Sequence, residues 1–369
     1  MQSSSKTDEK KTRTALVVGA SGIAGSALVD KLAEEGWDVV ALSRGGIRRG
    51  DVRHVSGDLT SLESLRDALA GERVSHVFYT AWSRMSTEQE NIATNAAMLR
   101  NLLASLTDHP VQHAALMTGL KHYLGPFEAY AAGEMPDTPF RESEPRLPTP
   151  NFYYAQEDEL WAAADKQGFG WSVHRAHTVI GHAVGNAMNM GLTLAVQASI
   201  CRDLGQPFIF PGSETQWTSL TDMTDSGLLA EHMIWAATAD GVADEAYNIV
   251  NGDIFRWRRM WPALAAYFGV EPEGYAGQPR PLEQQMLGRE KEWADIAARH
   301  GLAEPDLARV ASWWHTDGDL GRNLEVVTDM SQSRLAGFTG YRRTEDSFIR
   351  LFDRCQADRL IPPALFPSA

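Results

Sequence analysis

The segment Ala15-Leu-Val-Val-Gly19-Ala-Ser-Gly22-Ile-Ala-Gly25 constrains this chain more than any other, because an apolar run passes straight into a helix-forming stretch with three glycines near the joint. Gly19 permits a sharp turn, Gly22 lets backbone N–H groups approach a pyrophosphate, and Gly25 lets helix and strand pack closely. The N-terminus of the following helix then favours the anion. Ser21 and Ile23 lie in the same turn and join the glycines as expected cofactor contacts. A glycine-rich turn alone would mean little; the strand before it and the helix after it make it a dinucleotide-binding loop. The same glycines argue against reading Lys10, Lys11, Arg13 and the apolar stretch 15–29 as a secretory leader, since they weaken a membrane-seeking helix. Residues 1–13 read as a flexible tail.

From residue 14 to about 180, short β-branched runs alternate with helical patterns, the mark of βαβ units. Strands are predicted near 15–19, 38–43, 53–57, 76–81, 114–118 and 171–178, with helices such as 24–35 and 88–105. The expected fold is α/β, a Rossmann-type doubly wound parallel sheet with a smaller C-terminal substrate-binding lobe. Residues 14–185 form the expected dinucleotide-binding core and 186–369 mostly the lobe, with some segments returning to the core. Within the lobe, strands are predicted at 207–210 and 246–250. Trp257, Trp261, Trp313 and Trp314 fit packing of this lobe better than the lining of a pocket.

Cofactor preference is read at the end of the second strand, where an acidic residue would accept from the ribose of NAD. Here the strand ends Ser43-Arg44. Arg44 offers a planar donor fork suited to a 2′-phosphate, with Arg48 or Arg49 adding charge, so NADPH/NADP+ is expected. Asp58 and Leu59 after the third strand are placed to meet the adenine, and Thr80, Ala81 and Trp82 after the fourth run beside the cofactor.

A formal charge of −14 opposes attraction to phosphate backbones and anionic membranes, so neither nucleic acid nor a membrane is expected as a partner. Cys201 and Cys355 have no ligand-like spacing, which argues against a disulfide framework and a metal site and favours a reducing, cytoplasmic setting.

No tyrosine is followed by lysine four residues later; Tyr153 meets Glu157 and Tyr154 meets Asp158. The helix-borne Tyr/Lys pair of ordinary short-chain dehydrogenases is therefore absent. Lys121 lies just past the fifth strand, at the sheet edge where open α/β folds bind ligands, and Tyr153 begins the next helix, which returns to that edge. A lysine from one element is thus expected beside a tyrosine from another.

These segments resemble the progesterone 5β-reductase and iridoid synthase-like enone reductases, an atypical branch of the extended short-chain dehydrogenases. The resemblance rests on the glycine loop, Thr118-Gly119-Leu120-Lys121-His122-Tyr123-Leu124-Gly125-Pro126-Phe127, Asn151-Phe152-Tyr153-Tyr154 with Glu157-Asp158, and Trp171-Ser-Val-His174-Arg175. Ala230-Glu-His-Met-Ile-Trp235 and Asn248-Ile-Val-Asn251-Gly-Asp253 extend it. It implies Tyr153 and Lys121 as the catalytic pair, a homodimer, and NADPH-dependent reduction of the C=C bond of an α,β-unsaturated carbonyl. Thr118, Gly119 and Val179 join Lys121 and Tyr153 among the expected cofactor contacts. Trp82 and Phe127 are expected in the substrate pocket by resemblance, and Met188, Met190 and Tyr341 by position. Ala176-His177-Thr178 stands where the family carries Pro-Gly-Asn, and His177 reads as a polar group satisfied at a strand end, with a catalytic role as its alternative. Reduction of the carbonyl itself and a non-catalytic NADP(H)-sensing role are the alternatives.

Overall fold

The computed structural model describes residues 13–45, 52–125 and 137–364. Seven parallel strands build the main sheet: β1 (Thr14–Val18), β2 (Asp38–Ser43), β3 (Arg53–Ser56), β4 (His76–Tyr79), β5 (His113–Gly119), β6 (Gly170–Ala176) and β7 (Glu245–Ile249). Their order is 3-2-1-4-5-6-7, so the chain reverses direction across the sheet between β1 and β4. That switch point opens a crevice at the carboxyl ends of the strands.

Alternation along β1 explains the layering. Ala15 and Val17 face a cluster with Leu28 and Leu32 of α1 (Ile23–Glu34) and with Leu229 and Met233, while Leu16 and Val18 face one with Leu65, Leu99, Leu102 and Leu160. Both faces are covered, as an all-parallel sheet requires. Leu99 and Leu102 belong to α2 (Glu88–Ser105), which opens on a capping box between Thr87 and Glu90. Leu160 belongs to α4 (Phe152–Gln167), separated in sequence from the four-residue α3 (Lys121–Leu124).

The first six predicted strands match this sheet to within a residue or two. The run predicted at 246–250 is the seventh strand and pairs with β6, Ala246 beside Val173. The run at 207–210 forms only Phe208–Ile209, paired with Pro272–Glu273 in a separate ribbon. Around that ribbon lies a second core in which Trp257 and Trp261 are fully buried, the Trp261 ring stacked on Phe208 at 3.9 Å between centroids. Its helices include α5 (Met190–Leu204), and α6 (Trp313–Leu320) lies at its margin. No described helix is long and apolar enough to cross a membrane. Cys201 and Cys355 are buried free thiols.

Candidate active site

The glycine turn is tied to the switch point by its backbone. Gly19 N–H donates to Leu42 O at 3.1 Å, and Thr80 anchors the neighbouring strand end, its N–H and hydroxyl both donating to Val18 O. Gly19 takes a φ of +83°, a conformation that favours glycine. At Gly25 a Cβ would stand 2.2 Å from Gly19 O, so this position sets the approach of helix to strand and does not line the groove. Gly22 ends the loop with no side-chain cap on α1, and the first turn of that helix carries no acid. The α1 amide groups at this end are left for an anion, which is the fit a pyrophosphate needs.

A groove runs from there along Gly19, Ser21, Ser43, Arg44, Asp58 and Leu59. It continues into a cavity, the two sharing Gly22, Thr80, Ala81, Trp82, Asn186 and Met188. Ile23, Thr118, Gly119, Lys121, Tyr153 and Val179 line the cavity. The expected cofactor contacts therefore fall along one continuous surface, apart from the underlying Gly25. Arg44 is exposed at the rim. Thr60 donates twice to the Asp58 carboxylate from its N–H and hydroxyl, holding it below the usual carboxylate range. Arg48, Arg49 and Phe127 lie outside the described residues.

Lys121 and Tyr153 reach the cavity from different elements, and one side chain fixes both elements. Asn151, the N-cap of α4, accepts from Tyr153 N–H at 3.0 Å and donates to Lys121 O at 2.7 Å. Lys121 is buried, its ammonium 3.8 Å from Glu88 Oε2 and 4.8 Å from the centre of the Phe152 ring. That ring also stacks with Trp82 at 5.7 Å. Glu88 is held in turn by Phe152 N–H at 2.8 Å. The lysine's charge is thus balanced, and the Tyr153 hydroxyl does not titrate downward. Burial first, and the negative Glu88 second, push it well above the ordinary phenol range. Tyr153 is a protonated hydrogen-bond donor at neutral pH.

Behind this pair, Glu157 is fully buried with Arg146 at 2.8 Å and Arg175 at 3.8 Å. Arg175 also donates to the Tyr123 hydroxyl, which donates to Asn248. Glu157, Arg175 and Asn248 therefore support the strand ends rather than enter the cavity, none of them being among its lining residues.

The other wall comes from the C-terminal half. His177 Nδ1 lies 2.8 Å from Asp222, whose second oxygen accepts from Thr328 N–H at 2.6 Å, and His177 Nε2 is 3.4 Å from Arg322. The histidine is satisfied by neighbours. Arg322 pairs with Asp319 at 2.6 Å, and Asp319 also accepts from Thr178 at 2.7 Å. Burial opposes the Asp319 charge, yet Arg322 foremost, with the Thr178 hydroxyl, holds it below the usual carboxylate range.

Among the expected pocket residues, Trp82 and Met188 line the cavity and two others stand elsewhere. Met190, at the start of α5, is buried in the C-terminal core because its side chain falls on the helix face turned to that core. Tyr341 is half exposed and packs near Gly252. Glu88, Gln156, His315, Asp319 and Arg322 went unread from sequence. Glu88 follows the Thr87 cap signal, so its place at a helix start was visible; its partner Lys121 was not. Among the described residues no group of three or more His, Cys, Asp or Glu is arranged to hold a metal ion.

The model of the PRISE-like Rossmann-fold domain family matches residues 60–362. A 3-oxo-Δ(4,5)-steroid 5β-reductase from Arabidopsis thaliana is 36% identical over 94% of this chain and 93% of its own length. An (S)-8-oxocitronellyl enol synthase from Antirrhinum majus is 35% identical over 94% and 92%. Among solved structures, an epimerase from Methanothermobacter thermautotrophicus superposes with a TM-score of 0.68 at 16% identity, covering 94% of this chain and 93% of that one. A Thermus thermophilus UDP-glucose 4-epimerase in complex with NAD superposes with a TM-score of 0.63 at 20% identity, over 93% and 99%. At these identities the structures share the fold.

Proposed function

This chain belongs to the family of PRISE-like Rossmann-fold domains, and from that premise we propose that it reduces the C=C bond of an α,β-unsaturated carbonyl compound with NADPH. The observation that carries the reading is a partly buried Tyr153 and a buried Lys121 lining one cavity continuous with the glycine groove. The names of relatives more than a third identical, a steroid 5β-reductase and an enol synthase, support the same chemistry.

The α1 N-terminus, Gly19 and Gly22 would hold the pyrophosphate, Asp58 and Leu59 the adenine end, and Thr118 and Val179 the nicotinamide side. Arg44, at a strand end with no acidic neighbour in the preceding residues of β2 after Asp38, favours a 2′-phosphate and hence NADP(H). The bound cofactor supplies hydride to the β-carbon. Negative charge then develops on the carbonyl oxygen as an enolate, and Tyr153 donates a hydrogen bond to that oxygen. Its raised pKa keeps the proton on the phenol, so it acts as an oxyanion donor. Lys121 contributes positive potential, moderated by Glu88. Asn151 keeps the two in register, and Trp82, Leu120, Leu124 and Met188 give the cavity an apolar lining. A cytoplasmic setting and a homodimer complete the reading, the first supported by the two free thiols.

Incubation with NADPH and a panel of small cyclic enones, open-chain enals and steroid enones, with products identified, tests the proposal. Saturated carbonyl products support it. Allylic alcohols would instead indicate reduction of the carbonyl, and tight NADPH binding without turnover would indicate a sensor.

A further inference from the structure

Arg84 and Trp314 come from the two halves of the chain and meet over the joint between groove and cavity. Arg84 lines the groove two residues past Trp82, which lines both spaces. Trp314 belongs to α6; its ring stands perpendicular to that of His315 at 5.6 Å between centroids, and His315 lines the cavity's far wall. The Arg84 guanidinium carbon lies 3.9 Å from the centre of the Trp314 ring. Arg84 is exposed, so the contact sits on the solvent side of the joint.

The backbone on both sides is held in place. Ser83 N–H donates to Asn95 Oδ1 at 2.8 Å and Ser83 O accepts from Asn95 Nδ2 at 2.9 Å, while Met85 N–H donates to Asn91 Oδ1 at 2.8 Å. Both asparagines are buried on α2. Across the gap, Ser312 N–H, at the cap of α6, donates to Thr193 Oγ1 of α5 at 3.0 Å, and Asp317 within α6 accepts from Leu282 N–H and Glu283 N–H. What can move at low cost is therefore the arginine side chain, which is long, exposed and seated on the indole by a cation–π contact of modest strength.

We infer that Arg84 and Trp314 form a clasp across the joint that opens to admit and release the dinucleotide. The inference rests on the reading of groove and cavity as one cofactor site. A dinucleotide with its pyrophosphate at the α1 N-terminus and its nicotinamide beside Thr118 and Val179 lies through this joint, so it leaves sideways, past the clasp. A contact that is closed most of the time, and equally so with and without cofactor, slows entry and exit by the same factor and leaves affinity alone. A guanidinium bound to the cofactor's phosphates would act differently, slowing exit only.

Stopped-flow mixing, read by the fluorescence of NADPH itself, gives association and dissociation rates for the parent, Arg84→Ala, Trp314→Leu and the double variant. Each single variant is expected to raise both rates about twofold to fivefold, the range of an exposed cation–π contact, with Kd changed by less than about twofold. The double variant should be no faster than the faster single one. Unchanged rates in Arg84→Ala overturn the inference. So does a rise in dissociation alone with Kd weakened to match, which would make Arg84 a phosphate ligand, and so do effects of the two substitutions that multiply. The exposed Arg84 decides the matter even if Trp314→Leu does not fold. Absence of NADPH binding would sink the cofactor reading and the clasp with it, whereas binding at unaltered rates sinks the clasp alone.

Discussion

The two walls of the cavity are built by different means. On the sheet side, Gly19, Thr80, Lys121 and Tyr153 are delivered by backbone: strand ends, a glycine turn and the first turn of α4, with Asn151 joining two of them. On the C-terminal side, His177, Asp222, Asp319 and Arg322 hold one another by side chains from segments up to 145 residues apart. The first arrangement leaves its functional groups only lightly engaged and open to a ligand; in the second, most polar atoms are spent on neighbours. Rate should therefore be vulnerable at one wall and stability at the other.

The sharpest break is Tyr153→Phe. Removing an oxyanion donor costs on the order of 10²–10³-fold in kcat. The hydroxyl makes no hydrogen bond within the described structure, so the melting temperature should move little. Steady-state kinetics beside calorimetry checks both, and unchanged kcat would break the account of the sheet wall.

Asp222→Ala should do the reverse. It strips the buried His177 Nδ1 and Thr328 N–H of their acceptor, for a loss of about 3 kcal/mol in unfolding free energy. Denaturant titration measures it. A variant as stable as the parent would show that this wall is not held by its network.

These contrasts explain what was legible in the sequence. A βα repeat fixes where strand ends fall, so six strands, the glycine turn and the meeting of Lys121 with Tyr153 at one edge could be read from spacing. The strand at 245–249 was visible as a strand, but a local pattern does not say which sheet it joins. Met188 and Met190 differ by two positions, and only the start of α5 decides that one faces the cavity and the other the core. Asp222, Asp319 and Arg322 carry no local motif. Their meaning arises from contacts across the fold.

A smaller effect belongs to the rim. Arg44→Ala should weaken NADPH binding about fivefold while changing NADH binding much less, because an exposed charge pair is worth about 1 kcal/mol. Fluorescence titration with both nucleotides reads the ratio. Equal losses for the two would remove Arg44 as the selectivity group.

The most direct test of the central claim uses NADPH carrying deuterium as its transferred hydrogen, with one enone and ordinary water. The account predicts a saturated carbonyl product with deuterium on the β-carbon and a solvent proton on the α-carbon. Deuterium on the former carbonyl carbon, in an allylic alcohol, would contradict it.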